Sequence, residues 1–246
     1  MIRAVLFDGD QTLWDFQAVM RNALLRVLDE LRTGRPGSHA AALAVRDLVA
    51  DRQEAARRCE GVEFNLARIR YLGFVLTLQR LRDSAGRDTN GWSAEHDDEL
   101  ATRLTTSYLA HRDTEPALFP DAVPCLDALR PHFRLGLLSN GSRAPEVIGL
   151  DGYFDVVVFA QDHRVVKPDP AIFAIAEHQL GLGPEDCVLV GDHPLNDVLG
   201  AKQSGWRAVW IDREGDGVFP RSTRTPREPD ACITSLGQLP DVLRRL

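Results

Sequence analysis

Lysine is nearly absent from this 246-residue chain: only Lys167 and Lys202 accompany arginine among the 29 basic residues. We interpret this mainly as a compositional bias, which makes each remaining lysine worth examining for a role that arginine does not fill. The 36 acidic residues give a formal net charge of −7, and the chain has no basic run. We therefore expect no nucleic-acid partner, because such binding needs basic side chains to neutralise phosphates.

Cysteine and long apolar runs are also scarce. The four cysteines are widely scattered and none has the C-x-x-C spacing, which predicts neither a zinc site nor a disulfide framework and fits a reducing compartment. No apolar run approaches the roughly 18 residues of a membrane span, and the apolar residues before Asp8 are too few for a signal peptide. We expect a cytoplasmic protein with no membrane partner.

Short apolar runs alternate with amphipathic segments in the second half of the chain. Strands are predicted for "FRLGLLSNG" (133–141), "YFDVVVFAQ" (153–161), "DCVLVGD" (186–192) and "RAVWID" (207–212), in addition to the apolar start of "AVLFDGDQTLWDF" (4–16). Helices are predicted at 121–130, 169–181 and 195–204, a short one at 144–150, and a surface loop at 213–230 before a last short helix. This alternation predicts an α/β fold with a Rossmann-like parallel sheet covered by helices.

Residues 15 to about 112 are helical in period and contain no convincing strand. Breaks at 33–38 and 83–93 divide them into about four helices. We therefore predict an α/β core formed by 1–14 and 115–246, interrupted by an all-helical domain at 15–114, with hinges at 14–17 and near 111–119. Trp14 and Phe16, beside the first hinge, are expected to serve packing.

Polar residues follow the predicted strands at the edge where an open α/β sheet binds its ligands. They are Asp8, Asp10 and Thr12 after the first strand, Ser139, Asn140 and Gly141 after the second, Lys167 beyond the third, and Asp192, Asn196 and Asp197 after the fourth. As many as four carboxylates in one small site repel one another unless protons or a cation compensate. An all-oxygen ligand set favours Mg²⁺, and a carboxylate beside a lysine and hydroxyls suits phosphoryl transfer through an aspartyl-phosphate.

The segments "DGDQT", "LLSNG", "KPDP" and "GDHPLND" occur in the order of the four motifs of the haloacid dehalogenase superfamily, which this chain resembles along almost its whole length. The resemblance implies that Asp8 is the nucleophile and a metal ligand, and that Asp10 is the general acid/base and also binds the metal through its backbone carbonyl. It further implies that Lys167 stabilises the nucleophile and the phosphoryl charge, while Asp192 binds Mg²⁺ and Asp197 orients the metal shell.

The same resemblance assigns phosphate binding to Thr12, Ser139, Asn140, Gly141 and Lys167. The chain departs from the family pattern at Gln11, where many members have glycine, and in the shortened segment after Ser139–Asn140. The histidines that flank the motifs, His163 and His193, are expected at the rim of the site and not as metal ligands.

An all-helical insertion between the first two motifs resembles the family's C1 cap, which selects the substrate and excludes water. Arg68, Arg70 and Tyr71 are our candidates for substrate contact. The alternative is that the arginines lie on a solvated helix face and Tyr71 packs inside the bundle.

The resemblance is to the C1-capped branch that contains pyrimidine 5′-nucleotidases, N-acylneuraminate-9-phosphatase and phosphoglycolate phosphatases, and it is nearest to the first two of these. We therefore expect a Mg²⁺-dependent phosphatase acting on a small phosphorylated metabolite, either a nucleotide or a sugar phosphate. The alternatives are a haloacid dehalogenase, against which Asp10 argues, a sugar-phosphate mutase, and a non-catalytic binding protein. No oligomeric state follows from the sequence.

Overall fold

The computed structural model describes residues 1–35, 38–59, 65–85, 93–112, 117–213 and 227–246. The chain divides into two compact units, one made of Met1–Gln17 and Pro116–Leu246 and the other of Ala18–Glu115. The second predicted hinge, two predicted breaks in the helical segment and the predicted loop at 213–230 lie partly outside the described residues. The assignment of 15–114 to a cap domain stays a prediction.

The first unit is built on a six-stranded sheet in the order β3-β2-β1-β4-β5-β6, with every neighbouring pair parallel. Its strands are β1 (Ala4–Phe7), β2 (Arg134–Ser139), β3 (Val156–Phe159), β4 (Cys187–Gly191), β5 (Arg207–Ile211) and β6 (Ala231–Ile233). The predicted parallel α/β fold is confirmed, and five of its strands lie within the predicted segments. The sixth, β6, was not predicted, because three residues at a sheet edge carry too little periodicity to be recognised.

The central strand is buried on both faces, which explains its continuous apolar run. All four residues of β1 are buried, as expected where helices cover both sides of a parallel sheet. Gly136 of β2 allows neighbouring side chains to pack over it, because an added Cβ would lie 2.7 Å from Val156 Cγ1 and 2.8 Å from Leu6 Cγ. The tightly packed centre fixes the position of the β1 carboxyl end, where Asp8 follows Phe7.

Helices connect these strands. They are α6 (Ala122–Leu129), α7 (Ala160–His163), α8 (Pro170–Leu180), α9 (Gly200–Gln203) and α10 (Leu239–Leu243), with 3₁₀ turns at Pro145–Ile148, Pro184–Asp186 and Leu236–Gln238. Pro170 begins α8 and the Asp169 carboxylate accepts from the N–H of Ala171, as an N-cap residue does. The predicted helix at 195–204 is a π-helical turn, Pro194–Leu199, continued by α9.

The second unit is helical in its described residues. It contains most of α1 (Phe16–Gly34), then α2 (Ser38–Ala42), α3 (Val45–Arg57), α4 (Leu66–Ala85) and α5 (Ala94–Arg112). A buried carboxylate joins three parts of it, because Asp97 on α5 accepts from Arg35, after α1, at 2.9 Å and from Arg82 on α4 at 2.5 Å. No described helix is long and apolar enough to cross a membrane.

Candidate active site

The carboxyl end of β1 turns sharply and presents two carboxylates. Asp8 continues the sheet pattern, with its N–H donating to the carbonyl of Val190 at 2.8 Å. The Gly9 carbonyl then accepts from the N–H groups of Thr12, Leu13 and Trp14. Glycine is required at position 9, since an added Cβ would lie 2.3 Å from the Trp14 ring.

The turn places the second carboxylate against an indole. Trp14 Nε1 donates to Asp10 Oδ1 at 2.7 Å, so Trp14 does more than the packing that the sequence predicted. A Cβ added at Gly141 would lie 3.2 Å from Asp10 Oδ2 and 3.2 Å from Ser139 Oγ. The Asp10 carboxylate therefore lies beside the turn that follows β2, and the first two motifs form one site.

Thr12 completes this loop. Its side chain is fully buried, and Oγ1 has no hydrogen-bond partner among the described residues. A buried hydroxyl without a partner is uncommon, because burial without a hydrogen bond costs free energy. The hydroxyl is thus available to an added ligand.

Lys167 lies between two carboxylates. Its Nζ donates to Asp8 Oδ1 at 2.7 Å and to Asp197 Oδ1 at 2.6 Å, and its side chain is 1% exposed. Burial alone would lower the pKa of the Lys167 ammonium, but the charges of Asp197 and Asp8 outweigh burial and raise that pKa above its ordinary value. Lys167 is therefore a fixed positive charge. The other oxygen of Asp8, Oδ2, accepts no hydrogen bond from a described residue.

Three carboxylates converge around this lysine. One oxygen each from Asp8, Asp192 and Asp197 lie within 4.8 Å of one another. Burial and the charges of the neighbouring carboxylates raise the pKa of Asp8 to about 7, although the charge of Lys167 acts to lower it. Burial and the charges of Asp8 and Asp197 also raise the pKa of Asp192 well above its ordinary value. One ammonium does not balance three carboxylates, so the cluster fits a hard divalent cation, which prefers oxygen ligands.

In the fourth motif, the Asp197 side chain is fixed by hydrogen bonds to both of its oxygens. Asp197 Oδ2 accepts from the N–H of His193 at 2.8 Å, so both of its oxygens accept hydrogen bonds. Gly191 leaves the room for that carboxylate, since a Cβ there would lie 2.3 Å from Asp197 Cγ. His193 is exposed and its Nδ1 accepts from the N–H groups of Leu195 and Asn196, which is a helix-capping role. His163 is also exposed.

The second and third motifs are joined by a reciprocal pair of hydrogen bonds. Asn140 Nδ2 donates to the Lys167 carbonyl at 3.0 Å, and the Lys167 N–H donates to Asn140 Oδ1 at 2.8 Å. Next to them, the N–H of Gly141 donates to Ser139 Oγ at 3.0 Å. The structure thus brings together the core residues that the sequence singled out, with the Asn140 side chain turned toward the backbone of Lys167.

The three candidates in the helical unit differ in environment. Arg68 is exposed, and Tyr71 is half-buried with its hydroxyl donating to Asp98. Arg70 is buried, with its guanidinium 4.2 Å from the Tyr108 ring centroid. The expectation of a solvated face is right for Arg68 and wrong for Arg70, and the expectation that Tyr71 packs inside the bundle is wrong. Their contact with a substrate stays a prediction.

Sequence reasoning missed Arg213, which follows the fifth strand. Arg213 Nη2 and Nε donate to the Thr12 carbonyl at 3.0 and 3.2 Å, and Nη2 also donates to Asp121 at 2.8 Å. Its guanidinium lies 3.9 Å from the centroid of the Phe119 ring. The other motifs were recognised by polar residues at the carboxyl ends of predicted strands. Arg213 lies at the carboxyl end of β5 and carries the same signal.

Comparisons with known proteins agree with this geometry. The family model described as haloacid dehalogenase-like hydrolase matches residues 2–205. The chain is 30% identical to N-acylneuraminate-9-phosphatase from Homo sapiens, across 100% of this chain and 95% of that protein. It is also 30% identical to glyceraldehyde 3-phosphate phosphatase from Methanopyrus kandleri, across 100% of this chain and 99% of that protein.

A solved structure shows the same architecture. The crystal structure of 2-haloacid dehalogenase from Pseudomonas syringae pv. Tomato DC3000 superposes with a TM-score of 0.70 at 29% identity, covering 100% of this chain and 99% of that one. The family match spans most of the chain, and the four motifs meet at the carboxyl edge of a parallel sheet. This chain belongs to the haloacid dehalogenase-like hydrolase family.

Proposed function

We propose that this protein is a Mg²⁺-dependent phosphatase that hydrolyses a small phosphorylated metabolite, a sugar phosphate or a nucleotide, through an aspartyl-phosphate on Asp8. The observation that carries the proposal is the position of the Asp10 carboxylate, beside the turn that holds Ser139 and Gly141. Displacing an alkoxide from phosphorus needs a proton donor, whereas displacing a halide from carbon does not. A second carboxylate in this place therefore favours phosphate esters.

In the first step, Asp8 Oδ2 attacks the phosphorus atom and the bond between phosphorus and the ester oxygen breaks. Asp10 gives its proton to the departing oxygen, and the released product is an alcohol. In the second step, Asp10 accepts a proton from a water molecule, whose oxygen attacks the phosphorus. The acyl-phosphate bond then breaks, which releases inorganic phosphate and restores Asp8.

The other residues hold charge in place. Lys167 keeps Oδ1 of Asp8 engaged, so that Oδ2 faces the substrate, and its ammonium stabilises the phosphoryl oxygens. The unpartnered hydroxyl of Thr12 donates to one of these oxygens, and the hydroxyl of Ser139 to another.

Asp8, Asp192 and the backbone carbonyl of Asp10 would hold Mg²⁺, with Asp197 orienting the metal shell. The all-oxygen carboxylate cluster with one compensating ammonium fits this ion. When bound, Mg²⁺ supplies positive charge that offsets the repulsion between a carboxylate nucleophile and a phosphate dianion.

The helical unit would act as the C1 cap of the family, with Arg68, Arg70 and Tyr71 as the candidates for substrate contact. The similarity to N-acylneuraminate-9-phosphatase and glyceraldehyde 3-phosphate phosphatase supports phosphorylated sugars or sugar acids as substrates. Substitution of a cap residue that contacts the substrate should raise KM for a metabolite more than for p-nitrophenyl phosphate.

The test is phosphate release from p-nitrophenyl phosphate and from a panel of phosphorylated metabolites. We expect turnover with Mg²⁺, none with EDTA, and none from the Asp8→Asn variant. The matched control is Asp186→Asn, which alters a carboxylate that bonds Arg3 away from the site and should keep full activity. Turnover at the wild-type rate in EDTA, or in Asp8→Asn, contradicts the proposal.

A second candidate activity is dehalogenation, favoured by the similarity to the 2-haloacid dehalogenase structure. Chloride release from 2-chloropropionate, measured on the same preparation, separates the two activities. Chloride release without any phosphate release would replace our proposal with this one.

A further inference from the structure

Two arginines of the helical unit, the buried Arg70 and the half-buried Arg52, form no ion pair with any described residue. Arg70 on α4 is 6% exposed, and its described contacts are aromatic: the Tyr108 ring at 4.2 Å, the Phe74 ring at 5.9 Å and a hydrogen bond to Tyr108 Oη at 3.3 Å. Arg52 on α3 has no ion pair with any described residue. A buried guanidinium ordinarily has a carboxylate partner, because its desolvation is costly.

Several described carboxylates of the helical unit bond groups other than Arg52 and Arg70. Asp51, the neighbour of Arg52, accepts from Thr77 Oγ1 at 2.7 Å and from Arg80 at 2.6 Å. Other carboxylates of the unit bind other partners, as Glu54 binds Arg57 and Arg58, Asp97 binds Arg35 and Arg82, and Asp98 accepts from Tyr71. None of these groups neutralises Arg52 or Arg70.

The two arginines are held near each other by helix packing. Gly73 lets α3 approach α4 closely, because a Cβ at that position would lie 3.0 Å from Arg52 Cα. Burial lowers the pKa of Arg70, and the charges of Arg52 and Arg112 lower it further, while Tyr108 opposes them. The like charges of Arg52 and Arg70 are thus brought together, and neither arginine has an ion pair with a described residue.

Arg52, Arg70 and Tyr108 each have side-chain groups that can donate a hydrogen bond. Tyr108 is buried, and its hydroxyl accepts from Arg70, so the hydroxyl proton is available to an acceptor. Arg70 has four further N–H groups, and Arg52 contributes its own. An oxyanion is the ligand class that satisfies several such donors and the net positive charge together.

We propose that Arg52, Arg70 and Tyr108 form a binding site for a small oxyanion, carboxylate or phosphate, within the helical unit. All three residues belong to the helical unit, and the proposal does not depend on the proposed phosphatase activity. Arg52 and Arg70 supply charge and N–H donors, and Tyr108 adds an O–H donor while its ring supports the guanidinium of Arg70.

The test is calorimetric titration of the full chain with malonate and, separately, with inorganic phosphate, in EDTA at constant ionic strength. We expect saturable binding of at least one probe, and the tighter of the two identifies the source of the oxyanion. Arg70→Met and Arg52→Met should each weaken binding by about tenfold or more, as loss of a charged hydrogen-bond donor does. Tyr108→Phe keeps the ring and should weaken binding about threefold or more.

Two controls make the result specific. Arg57→Met removes an arginine that is 70% exposed and paired with Glu54, and should leave the affinity unchanged. Lys167→Met disables the core site and should also leave it unchanged. Loss of binding in Lys167→Met, together with wild-type affinity in Tyr108→Phe, would show that the anion binds at the core site and would overturn the proposal. The absence of saturable binding to the wild type would also overturn it. If Arg70→Met fails to fold, Tyr108→Phe decides.

Discussion

Asn140 and Lys167 exchange two hydrogen bonds, side-chain amide to backbone carbonyl and backbone N–H to side-chain carbonyl, at 3.0 and 2.8 Å. The loop that carries the only buried lysine is therefore fixed to the end of β2 by one residue. Lys167 in turn orients Asp8. Asn140 thus acts on the nucleophile through the backbone of its neighbour, in addition to the phosphate binding predicted from the sequence.

Asn140→Ala should lower kcat/KM for p-nitrophenyl phosphate by about 10- to 100-fold, the usual cost of losing a group that orients a site residue. The control is Asp169→Ala, two residues beyond Lys167, which removes the cap of α8 and costs about 1 kcal/mol of stability. Because Asp169 does not contact the Lys167 side chain, its variant should keep its activity. Equal kinetic losses in both variants would show that stability, and not orientation, is the cause.

Trp14→Phe should lower kcat by about tenfold with little change in KM, because the ring is kept while the hydrogen bond from Nε1 to Asp10 is lost. Trp206→Phe is the matched control, since its indole N–H donates to Glu177 at 2.6 Å, away from the catalytic residues. Steady-state kinetics on both variants checks the prediction. An unaltered kcat in Trp14→Phe would return Trp14 to a purely packing role.

The sheet and the core motifs could be predicted because they rest on local signals. A strand that is buried on both faces is a continuous apolar run, and polar residues at its carboxyl end mark a ligand site. Asp8, Asp192 and Lys167 were found in this way, although no local pattern shows that Lys167 bonds Asp8 and Asp197 at once.

Other features depend on contacts that are remote in sequence or on weak patterns. The bond from Arg213 to Thr12 joins residues 201 positions apart, which no spacing reveals. Helix α4 is apolar on several sides, so its period did not indicate that Arg70 faces inward. The three residues of β6 were too few to form a pattern.

The third prediction concerns Gln11, which stands where many members of the family have glycine. It has φ +62°, in the left-handed region that favours glycine, and its Oε1 accepts from the N–H of Gln17 at 2.9 Å in the first turn of α1. Gln11→Ala loses this bond and keeps the backbone cost. It should therefore be less stable than Gln11→Gly by about 1 kcal/mol, measured by urea unfolding.

Gly149 provides the calibration for that measurement. It has φ +76° and nothing lies within 4 Å of an added Cβ, so Gly149→Ala reports the left-handed cost alone, again about 1 kcal/mol. A Gln11→Ala variant as stable as Gln11→Gly would mean that the loop relaxes to another conformation.

Arg213 and Asp121 give the last prediction, which concerns stability and pH. Asp121 accepts from Arg213, from Ser235 Oγ at 2.7 Å and from the N–H of Leu236 at 2.9 Å. Burial acts to raise the pKa of Asp121, but these hydrogen bonds and the charge of Arg213 outweigh it and lower the pKa. A carboxyl with a lowered pKa stabilises the folded state at pH values above its ordinary pKa, and this contribution is lost as the pH falls through the lowered value.

Asp121→Asn should therefore lower the free energy of unfolding at pH 7 by about 1–2 kcal/mol, allowing for its partial exposure. The difference from the wild type should shrink as the pH falls below the ordinary pKa of aspartate towards the lowered pKa of Asp121, where the folded wild-type carboxyl takes up a proton. Arg213→Ala should cost about 2–4 kcal/mol at pH 7, because it also leaves the Thr12 carbonyl and the Asp121 carboxylate without their guanidinium partner.

Urea unfolding at pH 7 and below pH 4 checks both variants, with Arg3→Ala as the control. Arg3 forms an ion pair with Asp186 at 3.4 Å, and its side chain is 63% exposed, so its loss should cost less than about 1 kcal/mol. A pH-independent deficit in Asp121→Asn would attribute its stability to packing instead of charge. A deficit that shrinks with acid, together with reduced turnover in Arg213→Ala, would show that one guanidinium both stabilises the core unit and holds the loop of Thr12.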